Sequence, residues 1–109
     1  MKPTKTYTEK MLIAMINDID VKNLFKKIKE FYGYTLDDLC VKDNHRHISE
    51  ARQLAMYLLR SKCGMTLTGI SAILERGNNT ILAGIDSISW RLKYDKKFQE
   101  RYKRMGYES

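Results

Sequence analysis

An all-α fold, a compact multi-helix domain, is predicted for this sequence on three observations. Its only proline, Pro3, precedes every periodic segment, and residue types that favour helices (Leu, Ile, Met, Lys and Glu) are abundant. Apolar residues recur every three or four positions, which is the spacing of one helix face. With 109 residues, 43% of them hydrophobic, the chain is long enough for one core and too apolar to be disordered.

Caps and glycines divide the periodic segments into helices. Thr8, Thr35 and Thr66 are predicted N-caps, because each precedes an apolar-periodic segment and its hydroxyl can accept from a free backbone N–H group. Gly33 and Gly64 are predicted to end helices, since glycine adopts the left-handed conformation without strain. The predicted helices span residues 8–17, 21–31, a single turn at 35–39, 48–62, 66–74, 78–92 and 95–105, with a polar loop at 42–47.

Two of these helices carry stripes that assign an inner face. The stripe of the helix over 48–62 is the clearest, and it consists of Ile48, Ala51, Leu54, Ala55, Leu58 and Leu59. In the helix that begins at Asn78 or Asn79, either of which is a good N-cap, the residues predicted to face inward are Ile81, Leu82, Ile85 and Ile88.

The chain is predicted to divide into an N-terminal extension, residues 1–20, and a domain formed by residues 21–109. The extension contains the first helix, whose apolar residues are Met11, Leu12, Met15 and Ile16. These side chains could pack on the core or pair with a second copy of the chain, and a homodimer or another protein partner is therefore left open.

The charge and the termini of the sequence indicate the compartment and the class of partner. The formal net charge is +7, and an excess of basic residues favours a polyanionic partner such as nucleic acid. An apolar run of the roughly 18 residues that a membrane span requires is missing, as is the apolar stretch of a secretory signal. Cys40 and Cys63 are isolated, which is typical of reduced thiols. The prediction is a cytoplasmic protein that is nucleoid-associated when bound.

The sequence lacks the motifs of an enzyme or of a metal site. There is no glycine-rich phosphate loop, and no pattern suggests a paired nucleophile and base, so neither a catalytic activity nor a cofactor is expected. His45 and His47 flank Arg46, but Asp43 is the only acidic residue beside them, which is too few ligands for a metal ion.

The helices over 66–74 and 78–92 are joined by a short turn that contains Gly77, the arrangement of a helix-turn-helix. Spacing alone fits an ordinary helical hairpin equally well. The face of the second helix that is predicted to point outward favours DNA, because it starts with short side chains: Asn78, Asn79, Thr80 and Ala83, followed by Ser87 and Arg91. Asparagine can form two hydrogen bonds with the edge of adenine in the major groove. Gly84, which has no side chain, is expected to keep one side of this face narrow.

Four segments of the sequence resemble one family. Residues 51–60 (ARQLAMYLLR) are similar to the signature helix of the C-terminal DNA-binding domain of the bacterial replication initiator DnaA, nearly residue for residue. Residues 31–39, 66–70 and 79–82 resemble that family's helix end, the start of its helix-turn-helix and the core of its recognition helix. The resemblance extends over residues 24–105 and implies a fold similar to that of Trp repressor, in which a helix-turn-helix contacts the major groove and a basic loop reaches the minor groove.

The resemblance also identifies candidate contacts. In the family an Arg-Asp-His-Ser/Thr-Thr string opens the recognition helix, and here Arg76 and Thr80 match while Gly77 and Asn78 replace the Asp and His. DNA binding is therefore implied, whereas the initiator's own recognition sequence is not. The candidates for the major groove are Arg76, Asn78, Asn79, Thr80 and Ala83.

The candidates for the minor groove or for phosphates are Lys42, Asn44, His45, Arg46, Arg52, Gln53, Thr66 and Thr68. In the loop the family has two arginines at alternate positions; Asn44 replaces one, and Arg46 is retained. Arg52 could contact a phosphate, as the resemblance implies, or form a surface salt bridge with Glu50 or Asp43.

The function predicted from the sequence is sequence-specific binding of double-stranded DNA by a regulator or replication accessory of a bacterium or phage, without ATPase activity. The alternative is a protein-interaction module that keeps the fold and has a degraded DNA site, which the replacements at Asn44, Gly77 and Asn78 and the acidic pair Asp37–Asp38 would suit. Binding of single strands or RNA fits the charge but leaves the helix-turn-helix unexplained.

Overall fold

The computed structural model describes residues 9–42 and 45–107, and within them it contains seven α-helices and no strand. The prediction of an all-α fold is confirmed. The helices are α1 (Glu9–Ile16), α2 (Ile19–Tyr32), α3 (Leu36–Cys40), α4 (Arg46–Ser61), α5 (Leu67–Leu74), α6 (Asn78–Tyr94) and α7 (Lys96–Arg104). No helix in these two stretches has the length and the apolarity that crossing a membrane requires.

Helix α4 lies at the centre of the fold, packed mainly against α6 and α2. Its predicted stripe is buried in full, so that each of these side chains removes apolar surface from water. The core that α4 organises takes buried side chains from every helix between α2 and α7, among them Leu24, Ile28, Leu39, Leu58, Ile70, Leu74, Ile81, Ile88 and Phe98.

Local capping sets most helix ends. The Thr35 hydroxyl accepts from the backbone N–H of Asp38 while the Asp38 carboxylate accepts from that of Thr35, so α3 starts with a capping box. The Thr66 hydroxyl accepts from the N–H of Gly69, 3.1 Å away. Gly33 and Gly64 have φ values of 84° and 65°. These four predictions are confirmed, and the fifth, Thr8, lies outside the described residues.

Four details of the predicted helices are wrong. Helix α4 begins at Arg46, so the loop is shorter than 42–47, and the N-cap of α6 is Gly77, before both asparagines. Leu82 is 44% exposed, because the face of α6 that carries Ile81 and Ile88 packs toward α4 and Leu82 does not lie on that face. Gly84 does not keep an outward flank slim: it is buried against α4, where a Cβ atom would overlap the Met56 sulfur.

Helix α1 packs against α2 and α5. Met15 and Ile16 lie against the core, whereas Met11 and Ile13 are exposed. The first helix thus uses part of its apolar surface within the same chain. The division at residue 20 stays a prediction.

Candidate nucleic-acid interface

The turn between α5 and α6 is held by a buried serine. Glu75 adopts the left-handed conformation, with φ at 56°, and ends α5. The backbone N–H of Arg76 donates to the carbonyl of Ser71 over 3.2 Å, and the Ser71 hydroxyl donates to the carbonyl of Arg76. Because Ser71 is fully buried, both bonds are shielded from water and fix the angle at which α6 leaves the turn. Sequence analysis did not single out Ser71, although a polar residue inside an apolar stripe is a usable signal.

The first turn of α6 is presented to solvent. Asn78, Asn79, Thr80 and Ala83 are all exposed, as expected for candidates that contact bases. The N-cap Gly77 has no side chain to occupy the free N–H groups of this turn. Those groups and the positive end of the helix dipole therefore remain available to an anion.

The remaining helix candidates lie on either side of this turn. Gln53 of α4 is half-buried, and its Cγ is 3.4 Å from where a Cβ of Gly84 would lie. Thr66 is exposed at the start of α5, and Thr68 is half-buried two residues further along. Thr66 and Thr68 thus belong to the first helix of the helix-turn-helix, and Gln53 lies beside its second helix.

The loop candidates are only partly described. Lys42 is exposed after α3, Asn44 lies outside the described residues, and His45 is the exposed N-cap of α4. Arg46 is exposed in the first turn of α4 and lines a hollow of about 400 Å³ with Ser87 and Trp90 of α6. The structure thus places Arg46 beside the second half of α6.

Two arginine candidates bind backbone carbonyls inside the protein. Arg52 is 4% exposed, which is less than a side chain in contact with a phosphate is expected to be, and Asp43, one of the two salt-bridge partners expected from the sequence, lies outside the described residues. Arg76 is half-buried at the turn. The guanidinium groups of both residues point at the end of α3.

The buried carboxylate of Glu50 pairs with two further arginines. It is 8% exposed; its carboxylate accepts from Arg91 over 3.2 Å, from Arg101, and from the Tyr32 hydroxyl over 2.5 Å. Burial and the neighbouring Glu50 raise the pKa of Tyr32 well above its usual range, so the phenol keeps its proton. The prediction that Arg91 points outward is wrong, because Arg91 turns to Glu50 and, at 3.8 Å, to Asp95.

The cysteines are free thiols. The Cys40 thiol donates to the carbonyl of Ile73 over 3.4 Å, and burial raises its pKa to about 11. Burial also raises the pKa of Cys63. In the part of the chain that the structure describes, no three His, Cys, Asp or Glu side chains lie together in a way that could hold a metal ion.

This geometry, a buried turn followed by a helix with an exposed start, agrees with the comparison with known families. The sequence model of the family described as "Bacterial dnaA protein helix-turn-helix" matches residues 21–88, more than half of the chain. The chain belongs to this family. The match runs from α2 through most of α6 and includes α5 and the turn of the helix-turn-helix.

Relatives of the chain carry the name "Chromosomal replication initiator protein DnaA". The protein from Limosilactobacillus reuteri is 32% identical over 84 residues, which are 76% of this chain and 19% of that protein. The protein from Aquifex aeolicus is 30% identical over 73 residues, 66% of this chain and 18% of that protein. The protein from Chloroflexus aurantiacus is 28% identical over 82 residues, 74% of this chain and 17% of that protein.

The chain therefore spans less than a fifth of the length of these initiators. What it shares with them is the DnaA C-terminal domain, a DNA-binding domain that is not an enzyme on its own. The resemblance to this family that the sequence segments indicated is confirmed, and so is the class of ligand, double-stranded DNA.

Proposed function

We propose that this DnaA-family domain binds double-stranded DNA in a sequence-specific manner, with the N-terminal half of α6 in the major groove. The observation that carries the proposal is the exposed row Asn78, Asn79, Thr80 and Ala83 directly after the helix-turn-helix turn. Short side chains let the helix backbone come close to the base edges. Asn79 and Asn78 offer the paired donor and acceptor that adenine requires, and the methyl groups of Thr80 and Ala83 suit thymine.

Phosphate contacts would hold this helix in register. The free N–H groups at the start of α6 suit one phosphate. Thr66 and Thr68 at the start of α5, and Gln53 of α4, can donate to phosphates of the neighbouring DNA backbone. Lys42, Asn44, His45 and Arg46 form the segment that we place at the minor groove, with Arg46 as its principal cation.

The biological role that we propose is that of a regulator or replication accessory bound to chromosomal DNA in the cytoplasm. The names of the relatives support a connection with replication initiation. The printed sequence contains no glycine-rich phosphate loop, so we assign no ATPase activity to this stretch of chain. Because Gly77 and Asn78 replace the family's Asp and His, we expect a target that differs from the initiator's own site.

Replacing Asn79 by alanine tests the base contact. A consensus is first obtained by selecting bound fragments from a random duplex pool with the unchanged protein. We expect Asn79→Ala to weaken binding to the consensus by about 1–3 kcal/mol, because the contact with one base pair is lost. Binding to random duplex should be unchanged. Asn23→Ala, at an exposed asparagine of α2, is the matched control and should bind as the unchanged protein does.

Two results would contradict the proposal. An equal loss of affinity for consensus and random duplex would assign Asn79 to the phosphate backbone. A mobility-shift assay at modest salt with no retardation at micromolar protein would favour the second candidate, a protein-interaction module.

One observation favours that module: Asp86 exposes a carboxylate on α6, one turn beyond Ala83, where it would repel phosphate.

A further inference from the structure

Two arginines from distant parts of the chain meet at the end of α3. Arg52 of α4 donates through Nε to the carbonyl of Leu39 over 2.7 Å and through Nη2 to that of Val41 over 3.0 Å. Arg76, in the turn before α6, donates through Nη2 to the same carbonyl of Val41 over 2.6 Å. Val41 is the C-cap of α3, so both guanidinium groups bind where the chain leaves this helix.

Arg76 also joins this point to the end of α5. Its Nη1 lies 3.2 Å from the carbonyl of Cys40, 3.1 Å from that of Glu75 and 3.4 Å from that of Leu74. The last carbonyls of a helix have no partner within it, and they carry the negative end of its dipole. A guanidinium presents five donors in a fixed plane, which suits several carbonyls from two helix ends at once.

These bonds connect the two segments to which the proposed function assigns DNA contacts. Lys42, the first residue of the loop, follows Val41 directly. Gly77, the N-cap of α6, follows Arg76 directly. A displacement of the Arg76 side chain would therefore let the start of the loop move relative to the start of the recognition helix.

We propose that Arg52 and Arg76 are positioning residues, which hold the loop after α3 and the N-terminus of α6 at the separation that one duplex requires. This inference rests on the proposed function. It differs from the phosphate or base contacts that the resemblance implies for both residues. The burial of Arg52 and the four carbonyls around Arg76 leave their guanidinium groups engaged within the fold.

Replacing Arg76 by lysine distinguishes a positioning role from a direct contact with phosphate. Lysine keeps the positive charge that a phosphate contact needs, but its ammonium group is a point charge and cannot bind carbonyls of two helices in one plane. As a positioning residue, Arg76→Lys should weaken binding to the selected duplex about tenfold, nearly as much as Arg76→Ala. Arg60→Lys is the matched control, since Arg60 donates to the carbonyl of Met65 over 2.9 Å at the far end of α4; it should bind normally.

A double-mutant cycle tests whether Arg76 acts through the loop. In the Arg76→Lys protein, Lys42→Ala should cost at least about threefold less affinity than in the unchanged protein, because the loop that carries Lys42 is already misplaced. Asn79→Ala should cost the same in both, because Ser71 holds the turn without the guanidinium. Wild-type affinity for Arg76→Lys, or strict additivity with Lys42→Ala, would overturn the proposal and leave DNA binding by α6 intact.

Amide hydrogen exchange tests the same bonds without DNA. The N–H groups of Leu39 and Val41 donate to Thr35 and Asp38 within α3. Their exchange should become faster in Arg76→Lys and in Arg52→Lys, while the Met65 amide, bonded to Leu59, is unaffected. Unchanged exchange at Leu39 and Val41 would overturn the positioning role even if the unchanged protein bound no duplex, so the two proposals fail separately.

Discussion

At the scale of single residues, the partner of an arginine decides what its charge can do. Arg91 and Arg101 belong to the most basic segment of the sequence, yet both are paired with Glu50, which lies 41 and 51 residues earlier in the chain. Arg52 and Arg76 bind carbonyls. Sequence composition counts all four as available to phosphate, because it holds no information on contacts between distant residues.

Glu50→Gln tests the weight of one such contact. The amide keeps the shape of the side chain but removes the counter-charge of Arg101 and the nearer counter-charge of Arg91, which retains Asp95 at 3.8 Å; Glu50 itself is 8% exposed. Since both arginines are partly solvated, we expect a loss of about 1–3 kcal/mol in the free energy of unfolding, below the full cost of breaking a buried pair. Urea unfolding at pH 7 measures it.

Glu100→Gln is the control for this change, because Glu100 is exposed on α7 and its replacement should shift stability by less than about 0.5 kcal/mol. If Glu50→Gln were as stable as the unchanged protein, the ion pairs would contribute nothing net, and the role that we give Glu50 would be wrong.

At the scale of helices, the helix ends that are set by adjacent residues could be predicted from the sequence. The helix ends that are set by tertiary packing could not. Thr35, Thr66 and Gly33 act through their own backbone neighbours, and each lies where the sequence placed it. The start of α4 at Arg46 follows no capping signal, and its N-cap is a histidine. Its position is set by where α4 meets the helices on both sides.

Gly84→Ala tests the close approach of α4 and α6. A methyl group at this position would overlap the Met56 sulfur and lie 3.4 Å from Gln53 Cγ. Overpacking costs about 1–3 kcal/mol, and the better helix propensity of alanine offsets about 0.5–1 kcal/mol of it. We therefore expect a net loss of about 1 kcal/mol in the free energy of unfolding, measured by thermal or urea unfolding.

Gly77→Ala is the comparison, since a Cβ there has nothing within 4 Å; its loss of about 0.5–1 kcal/mol comes from the poorer N-cap and should not depend on the residue at position 56. Gly84→Ala and Met56→Ala should be non-additive, because the smaller side chain at 56 makes room for the methyl group. A stabilised Gly84→Ala protein would show that the two helices do not need a glycine at their contact.

At the scale of the whole molecule, the buried acids predict how stability depends on pH. Burial raises the pKa of Cys40 from 9.0 to about 11 and that of Tyr102 from 10.0 to about 12, and it raises the pKa of Tyr32 as well. The unfolded chain releases these protons first as the pH rises, so the folded state binds more protons and stability falls. We expect a constant contribution from these groups below about pH 8 and a progressive loss above pH 9.

Urea unfolding at intervals from pH 7 to pH 11 measures this loss. Cys40→Ala should make the decline between pH 9 and pH 10 shallower, because in that range the thiol titrates first. A free energy of unfolding that stayed level or rose up to pH 11 would mean that these side chains are not buried as described.

The sequence by itself determined the helical class, the position of the helix-turn-helix and the exposed start of α6. These follow from apolar spacing, from caps and from the segments shared with the DnaA family, all of which are properties of neighbouring residues. The tertiary structure alone decided which arginines are paired within the fold, which side Gly84 faces and how Ser71 holds the turn. Each of those depends on contacts between residues that are separated along the chain and meet only when the helices pack around α4.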